Sequence, residues 1–571
     1  MSKDIEKTSA EIAPSPTYEY GSSDEPKGTA WGNFRDSFKR QPGVSTADGP
    51  EDPAQLSRRL KGRHLQMIAI GGSIGTGLFI GSGSALAKGG PASLVLAFGL
   101  IGIMLYCTVH ALGEMAVMYP VSGSFATFSS RFIDPAWGFA MGWNYAMQWL
   151  IVLPLEIIAA AITLTYWEGA RDVNSAAWST IFFVLIVAIN LFGVKGYGEA
   201  EFVFSLIKVI AVIGFIILGI CINVGASPTG EVIGDKYWSD PGAFNNGFKG
   251  LCSVFVTAAF AFAGTELVGL AAAETQNPRR MLPTAIKQVF WRITLFYIVS
   301  LVIVGCLVPY TEPELLNGSS SVDITASPFV IAISNASIPV LPSIFNVVIM
   351  IAVLSVGNSS IYGSSRVLAG MAERGQAPKI LAYIDRSGRP LVSILVASAF
   401  GLLYLIVAAG DQARSDAFNW MLALSGLSSI FTWGSICLAH IRFRSAWKKQ
   451  GHSLDELAFR SQPGVIGSWV GFIFNCLVLI AQFWTGFAPV GYGELTANER
   501  VISFFQAYLS APIIVVTYVV YKIIYKTPIM RSHTIDLQTG RRELDLQHLI
   551  EEEQAEKRAW PMWKKVYKFF C

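Results

Sequence analysis

Gly71-Gly72-Ser73-Ile74-Gly75-Thr76-Gly77-Leu78-Phe79-Ile80-Gly81-Ser82-Gly83 lies inside the first long apolar stretch of the chain. Six glycines in thirteen residues disfavour a continuous helix, since each costs about 0.5–1 kcal/mol relative to alanine. Two readings fit the spacing equally. Small residues at intervals let two membrane helices pack closely. Alternatively the helix breaks, and its freed amides and carbonyls line a polar cavity. A second interruption favours the break: Phe260-Ala261-Phe262-Ala263-Gly264-Thr265-Glu266 sets a glycine, a hydroxyl and a carboxylate in the middle of another apolar stretch. A charge there costs at least about 2.5–3.5 kcal/mol on insertion scales.

The surroundings of both stretches are those of a bilayer. Of 571 residues, 52% are hydrophobic and only 15% charged, with a mean hydropathy of +0.46. A soluble chain needs roughly 25% charged residues to cover its surface. Charges here cluster before residue 65, in a few loops and after residue 525. The composition predicts an all-α polytopic membrane protein and excludes a soluble enzyme. A net charge of +3 gives no support to a nucleic-acid partner, and none of the seven cysteines forms a CxxC pair, so neither a zinc site nor a disulfide framework is indicated. No metal and no cofactor is expected.

Residues 1–60 are rich in Ser, Pro, Gly, Lys and Asp without an apolar period and read as a disordered cytoplasmic tail; no signal peptide opens the chain. About 20 apolar residues cross a bilayer as a helix, and twelve stretches within a 61–525 core qualify: 65–87, 92–117, 138–166, 177–194, 201–223, 248–274, 288–309, 341–369, 391–409, 416–440, 466–489 and 501–524. Lys and Arg number about 14 in the loops on one side and about 5 on the other, which sets both termini in the cytoplasm. In the C-terminal tail, 526–571, the segment Asp536 to Arg558 reads as a solvated amphipathic helix. The last residues, Trp560 to Cys571, mix aromatics with Lys564, Lys565 and Lys568, which suits an anionic lipid surface.

Two interrupted helices, each opening a five-helix block, are the pattern of an inverted-repeat transporter with a midplane site. A half-helix N-terminus offers unpaired N–H groups and about half a positive charge, which suits a carboxylate; carbonyl ends suit an ammonium. The two breaks therefore match both ends of an α-amino-acid zwitterion. Few other ionisable residues lie within the spans. Lys208 sits roughly 12 Å from the cytoplasmic edge of span five, placed either to snorkel or to tether the span-one break and exchange a proton. Glu156, roughly 15 Å deep in span three, fits a proton carrier and a backbone-bonded structural acid equally. Glu114 and Arg366 read as gate ion pairs or helix-end charges, and His110 as a satisfied core residue rather than a proton relay. Phe260 and Phe262 are packing residues or, beside the break, covers over a substrate.

These residues carry a specific resemblance. The runs Arg63 to Phe79, Phe262 to Glu274, Leu354-Ser355-Val356-Gly357-Asn358-Ser359, and Phe418 to Ser429 resemble the fungal amino-acid permeases of the amino acid–polyamine–organocation superfamily, with general amino-acid permeases the nearest in pattern. The resemblance runs from about residue 55 to the end. It implies twelve transmembrane helices in a 5+5 inverted repeat with discontinuous helices 1 and 6, and proton-coupled uptake of L-amino acids with broad specificity at the plasma membrane. By position it implies that Gly75, Thr76 and Gly77 meet the substrate carboxylate. Carbonyls near Ser73 and Ala263 would meet the amino group. Phe260 takes the place of an aromatic gate, and Glu266 that of the proton-linked acid. Lys208 stands where relatives place an ammonium in lieu of sodium, and Glu156 and Ser425 match positions that influence substrate choice. Thr265 departs from the serine usual there, its extra methyl narrowing the accepted side chains. Cys571 resembles a palmitoylated terminal cysteine, although the chain ends Phe-Phe-Cys where relatives often end Phe-Trp-Cys. Lys3 and Lys7 resemble the acceptors used by ubiquitin-ligase machinery, and fit equally well as plain lysines of a tail. The alternatives are a narrower permease for proline, basic amino acids or another amine, and an amino-acid sensor, which would carry a longer N-terminal domain.

Overall fold

The computed structural model describes residues 30–41, 56–72, 74–121, 123–317, 327–409, 411–541 and 561. Lys3, Lys7, Ser73, Cys571 and most of the expected amphipathic segment lie outside these residues. Among the described residues the protein is helical throughout, and its only β-type pairings are two isolated bridges, Arg40 with Asp385 and Leu60 with Thr275.

Helix occupies every apolar stretch read from the sequence. Among the described residues eight helices are long and apolar enough to cross a bilayer: Gly77–Met118, Pro135–Leu164, Gly193–Asn223, Gly247–Glu274, Pro278–Leu307, Leu341–Glu373, Asp416–Lys449 and Gly464–Phe487. Ala497–Tyr508 and Ser510–Tyr525 form a ninth candidate bent by 60°, and Ser175–Leu191 and Leu391–Ile406 are shorter apolar helices. The 42-residue helix Gly77–Met118 would run about 63 Å if straight, twice a hydrocarbon core of about 30 Å. It is instead broken at Gly90 (φ 79°, ψ 171°), next to Pro91. Gly90 is there because the backbone is left-handed and because a Cβ would lie 2.8 Å from the Asn245 nitrogen. The loop 243–245 takes over the hydrogen bonds lost at the kink: Asn245 N–H donates to Gly89 O and Ala92 N–H to Ala243 O.

Pro135–Leu164 lies at the centre, with 89% of its most apolar window buried, against 28% for Gly464–Phe487 at the rim. Its main partner is Leu341–Glu373, and Ser82–Met118 packs along Gly247–Phe262. On the rim, Ile466, Ile473, Leu477, Ile480 and Phe487 face outward, an apolar exterior that only lipid solvates without cost.

Over residues 30–41 the N-terminal tail departs from the expected disorder. Ala30–Asp36 is helical, and residues 37–41 dock on the loop 383–389. Gln41 N–H donates to Ile384 O (3.0 Å), Arg386 N–H to Lys39 O (2.8 Å), and the Tyr383 hydroxyl to Phe38 O (2.9 Å). Phe34 and Phe38, in edge contact at 5.1 Å, supply apolar surface that a purely polar tail lacks. The C-terminal tail docks likewise: Ile535 and Leu537 are buried, the Tyr119 hydroxyl donates to Leu537 O (2.9 Å), and Met530 N–H to Ile133 O (3.0 Å).

Candidate functional site

The glycine-rich stretch is a break. Helix Gly62–Gly71 stops at Gly72, and helix resumes at Thr76 through a π-helical turn, Gly77–Gly81. Close packing, the other reading of the same glycines, is also present. A Cβ on Gly77 would sit 2.3 Å from Ala261 Cα, one on Gly75 2.4 Å from Val356 Cγ2, and one on Gly71 2.2 Å from Ser205 Oγ. The glycines thus bring the first break against spans five, six and eight at backbone distance.

The second break faces it. Helix Gly247–Phe262 ends at Ala263 (φ −56°, ψ 142°), Gly264 is left-handed at φ 95°, and a short helix, Leu267–Leu270, follows. Glu266 fixes this turn. Its Oε1 accepts the Gly264 N–H (3.2 Å) and the Tyr145 hydroxyl (3.0 Å), and its Oε2 accepts Trp433 Nε1–H (3.2 Å). Three convergent donors satisfy the buried carboxylate. The Thr265 hydroxyl donates to Phe262 O (2.7 Å) and so closes the turn from within, away from the chamber.

Between the breaks lies a chamber of about 10 Å³, room for about one water. Thr76 and Gly77 line it from the first break and Phe260 and Ala263 from the second. Trp149, Val152 and Glu156 come from Pro135–Leu164, and Val356 from Leu341–Glu373. The Thr76 hydroxyl donates to Glu156 Oε2, while Glu156 Oε1 is buried without a hydrogen-bond partner among the described residues. The Leu78 and Phe79 N–H groups already donate to Gly75 O, which leaves the Thr76 and Gly77 amides at the start of the resumed helix as the ones without an intrahelical acceptor. The chamber thus holds anion-binding amides on one wall and an unsatisfied carboxylate oxygen on another. Ser425 is buried with its hydroxyl unpartnered among the described residues, but does not line the chamber.

Lys208 does not snorkel. It is fully buried and donates to Gly71 O (2.5 Å) and to Ser355 Oγ (2.8 Å), so it caps the carbonyl end of the first half-helix. Its carboxylate partner is Glu201 (3.5 Å), also fully buried and held by the hydroxyls of Ser355 (2.8 Å) and Ser205 (3.1 Å). Sequence reasoning missed Glu201 although the signal was present: seven residues before Lys208, it shares a helix face with it. It missed Arg292 too, a charge within the span 288–309, whose Nη1 donates to Ala69 O (2.8 Å). Two cations of the protein therefore occupy the carbonyl end of the first half-helix.

The remaining candidates lie apart from the chamber. Arg366 pairs with Glu274 (3.2 Å), which also accepts the Tyr362 hydroxyl (2.6 Å). Glu114 binds Arg444 (2.5 Å), His440 (3.1 Å) and the Ser461 N–H (2.7 Å). His110 is buried between Tyr106 and Phe459, and Phe262 packs on Tyr297 (4.2 Å).

Fold and site together define an all-α, multi-pass membrane protein built around two interrupted helices. The amino acid permease family model matches residues 64–534, and the chain belongs to that family. It is 58% identical to the general amino-acid permease GAP2 of Candida albicans over 92% of this chain and 88% of that one. Identity is 53% to the general amino-acid permease GAP1 of Saccharomyces cerevisiae (95% and 92%), and 51% to the S-adenosylmethionine permease GAP4 of Candida albicans (90% and 84%). Among solved structures, a mutant form of a manganese transporter from Eremococcus coleocola matches with a TM-score of 0.52 at 13% identity, covering 83% of this chain and 98% of that one; this likeness concerns the fold alone.

Proposed function

We propose that the protein is a proton-coupled amino-acid symporter of broad specificity in the plasma membrane, with twelve spans in two inverted five-helix repeats and both termini cytoplasmic. The observation that carries the reading is the pair of facing breaks, at 72–75 and 263–266, with Thr76, Gly77, Phe260, Ala263 and Glu156 around one chamber. Division of Gly77–Met118 at Gly90, together with the bent pair and the two shorter helices, supports twelve spans.

In the proposed mechanism the amides of Gly75, Thr76 and Gly77 hold the substrate carboxylate and carbonyls near Ser73 and Ala263 the ammonium, with Glu156 Oε1 as a further acceptor. Phe260 covers the side chain. A chamber of about 10 Å³ must widen to admit an amino acid, so binding and helix movement are one event. Lys208 is the proposed proton carrier: the carbonyl it caps belongs to the moving half-helix. Glu266, engaged by three donors, braces the second break. Ser425 and Thr265 act on side-chain choice through packing. In the tails, Cys571 is the proposed lipidation site, and Lys3 and Lys7 are the proposed ubiquitin acceptors. Each positive charge carried inward gains about 2.3 kcal/mol per 100 mV, enough for more than tenfold accumulation.

Radiolabelled uptake in cells lacking their own permeases, with and without a protonophore, tests coupling; competition by twenty amino acids tests breadth. Accumulation that survives the protonophore overturns the symport reading. A narrower permease is the second reading, supported by 51% identity to an S-adenosylmethionine permease, and competition by one amine alone would establish it.

A further inference from the structure

Span seven is π-helical over Arg292–Val299, an irregularity that recurs at functional sites. In an α-helix, residues five apart point about 140° away from each other; the i→i+5 repeat of a π-helix brings them toward one face. Arg292 and Tyr297 are such a pair, the guanidinium carbon 5.8 Å from the ring centre. Each caps one break. Arg292 Nη1 donates to Ala69 O at the carbonyl end of the first half-helix (2.8 Å), and the Tyr297 hydroxyl donates to Ala261 O at the carbonyl end of the sixth (2.7 Å).

Arg292 is fully buried, and its Nε and Nη2 have no hydrogen-bond partner among the described residues. No carboxylate contacts it there. Two residues further along the same half-helix, Lys208 caps Gly71 O. The groups facing Lys208 are Glu201 on its own helix (3.5 Å), the Ser355 hydroxyl on Leu341–Glu373, the Gly71 carbonyl, and, within electrostatic reach, Arg292 from span seven and Glu156 from Pro135–Leu164. A guanidinium cannot shed its proton, and two buried cations repel strongly where the dielectric is low. The strain of that repulsion is relieved only by the partner that can discharge, Lys208.

We propose that Arg292 is a positioning residue for proton coupling: a permanent positive charge at the shared carbonyl end that makes the Lys208 proton releasable in each cycle. The inference rests on the symport reading with Lys208 as carrier. Removing the charge stabilises the protonated lysine, so proton release comes later on the pH scale; removing Glu201's charge does the reverse. A merely structural lesion has no reason to move the two in opposite directions.

The test is the initial rate of labelled amino-acid uptake against external pH, normalised to transporter at the cell surface. Arg292→Gln is expected to move the half-maximal point to higher pH by about one unit while lowering the maximal rate, and Glu201→Gln to move it lower. Should Arg292→Gln fail to reach the surface, Arg292→Lys takes its place: a lysine there can itself discharge, so the midpoint rises by less. An unshifted midpoint in the Arg292 variant measured, or a shift in the same direction as Glu201→Gln, overturns the proposal. Wild-type uptake indifferent to external pH and to a protonophore instead overturns the symport reading beneath it.

Discussion

The Thr76 hydroxyl donates to Oε2 of Glu156, leaving Oε1 of the same carboxylate buried at the chamber wall without a partner among the described residues. Leaving such an atom unmade costs about 1–3 kcal/mol, a cost that a substrate ammonium can recover. Glu156→Gln keeps the shape and an acceptor for Thr76 but removes the charge. A charge-assisted hydrogen bond is worth about 1.5–3 kcal/mol, so KM for labelled amino acid should rise roughly tenfold or more. An unchanged KM at normal surface abundance would show that substrate does not meet this oxygen.

Gly77 is the place where the two breaks touch. A methyl there would lie 2.3 Å from Ala261 Cα and 2.8 Å from its nitrogen, backbone atoms that cannot step aside. Gly77→Ala should abolish uptake. Gly214→Ala, on an outward position with nothing within 4 Å, should leave uptake intact and stabilise its helix by up to about 1 kcal/mol. Equal activity of the two variants would contradict the close approach.

Glu266 and Lys208 separate by role. Glu266→Gln replaces one acceptor oxygen by a donor, leaving a hydrogen from Tyr145, Gly264 or Trp433 unpaired, at a cost of about 1–3 kcal/mol. It should lower thermal stability in detergent while uptake stays pH-dependent. Lys208→Met should instead remove the pH dependence. Loss of pH dependence in the Glu266 variant alone would transfer the proton-carrying role to that acid.

Arg389 pins the N-terminal tail to the loop 383–389. Its Nε binds Asp385 (2.6 Å), its Nη2 binds Ser37 Oγ (2.8 Å), and its guanidinium stacks on Phe38 at 4.3 Å. Arg389→Ala should release residues 37–41, seen as several-fold faster maleimide labelling of a Gln41→Cys probe in permeabilised cells. Labelling at the parent rate would mean that the dock holds without this cation.

Legibility from the sequence followed the strength of the local physical signal. The breaks were visible because glycine and a mid-span carboxylate are costly in a membrane helix, and the long apolar helices because a bilayer imposes a length. Lys208 was visible as a charge out of place. Whether it snorkels was not, since reaching water or Gly71 O depends on which helix lies alongside. Thr265 is placed by motif beside the substrate, yet its hydroxyl turns inward to Phe262 O, a rotamer choice that spacing does not encode. Phe34 and Phe38 were hidden in a polar tail whose average composition outweighed two aromatics.

By itself the amino-acid order determined that the chain crosses a bilayer repeatedly and that its first and sixth spans are interrupted. These are one-dimensional properties, set by hydropathy and by the cost of glycine and charge along a single helix. Only the tertiary structure decided which groups meet the exposed ends. Lys208 and Arg292 converge on one carbonyl end from helices more than eighty residues apart, Glu201 answers the lysine, and Tyr145 and Trp433 close on Glu266. Contacts of that kind arise from how helices pack across the bundle, and no local pattern along the chain records them.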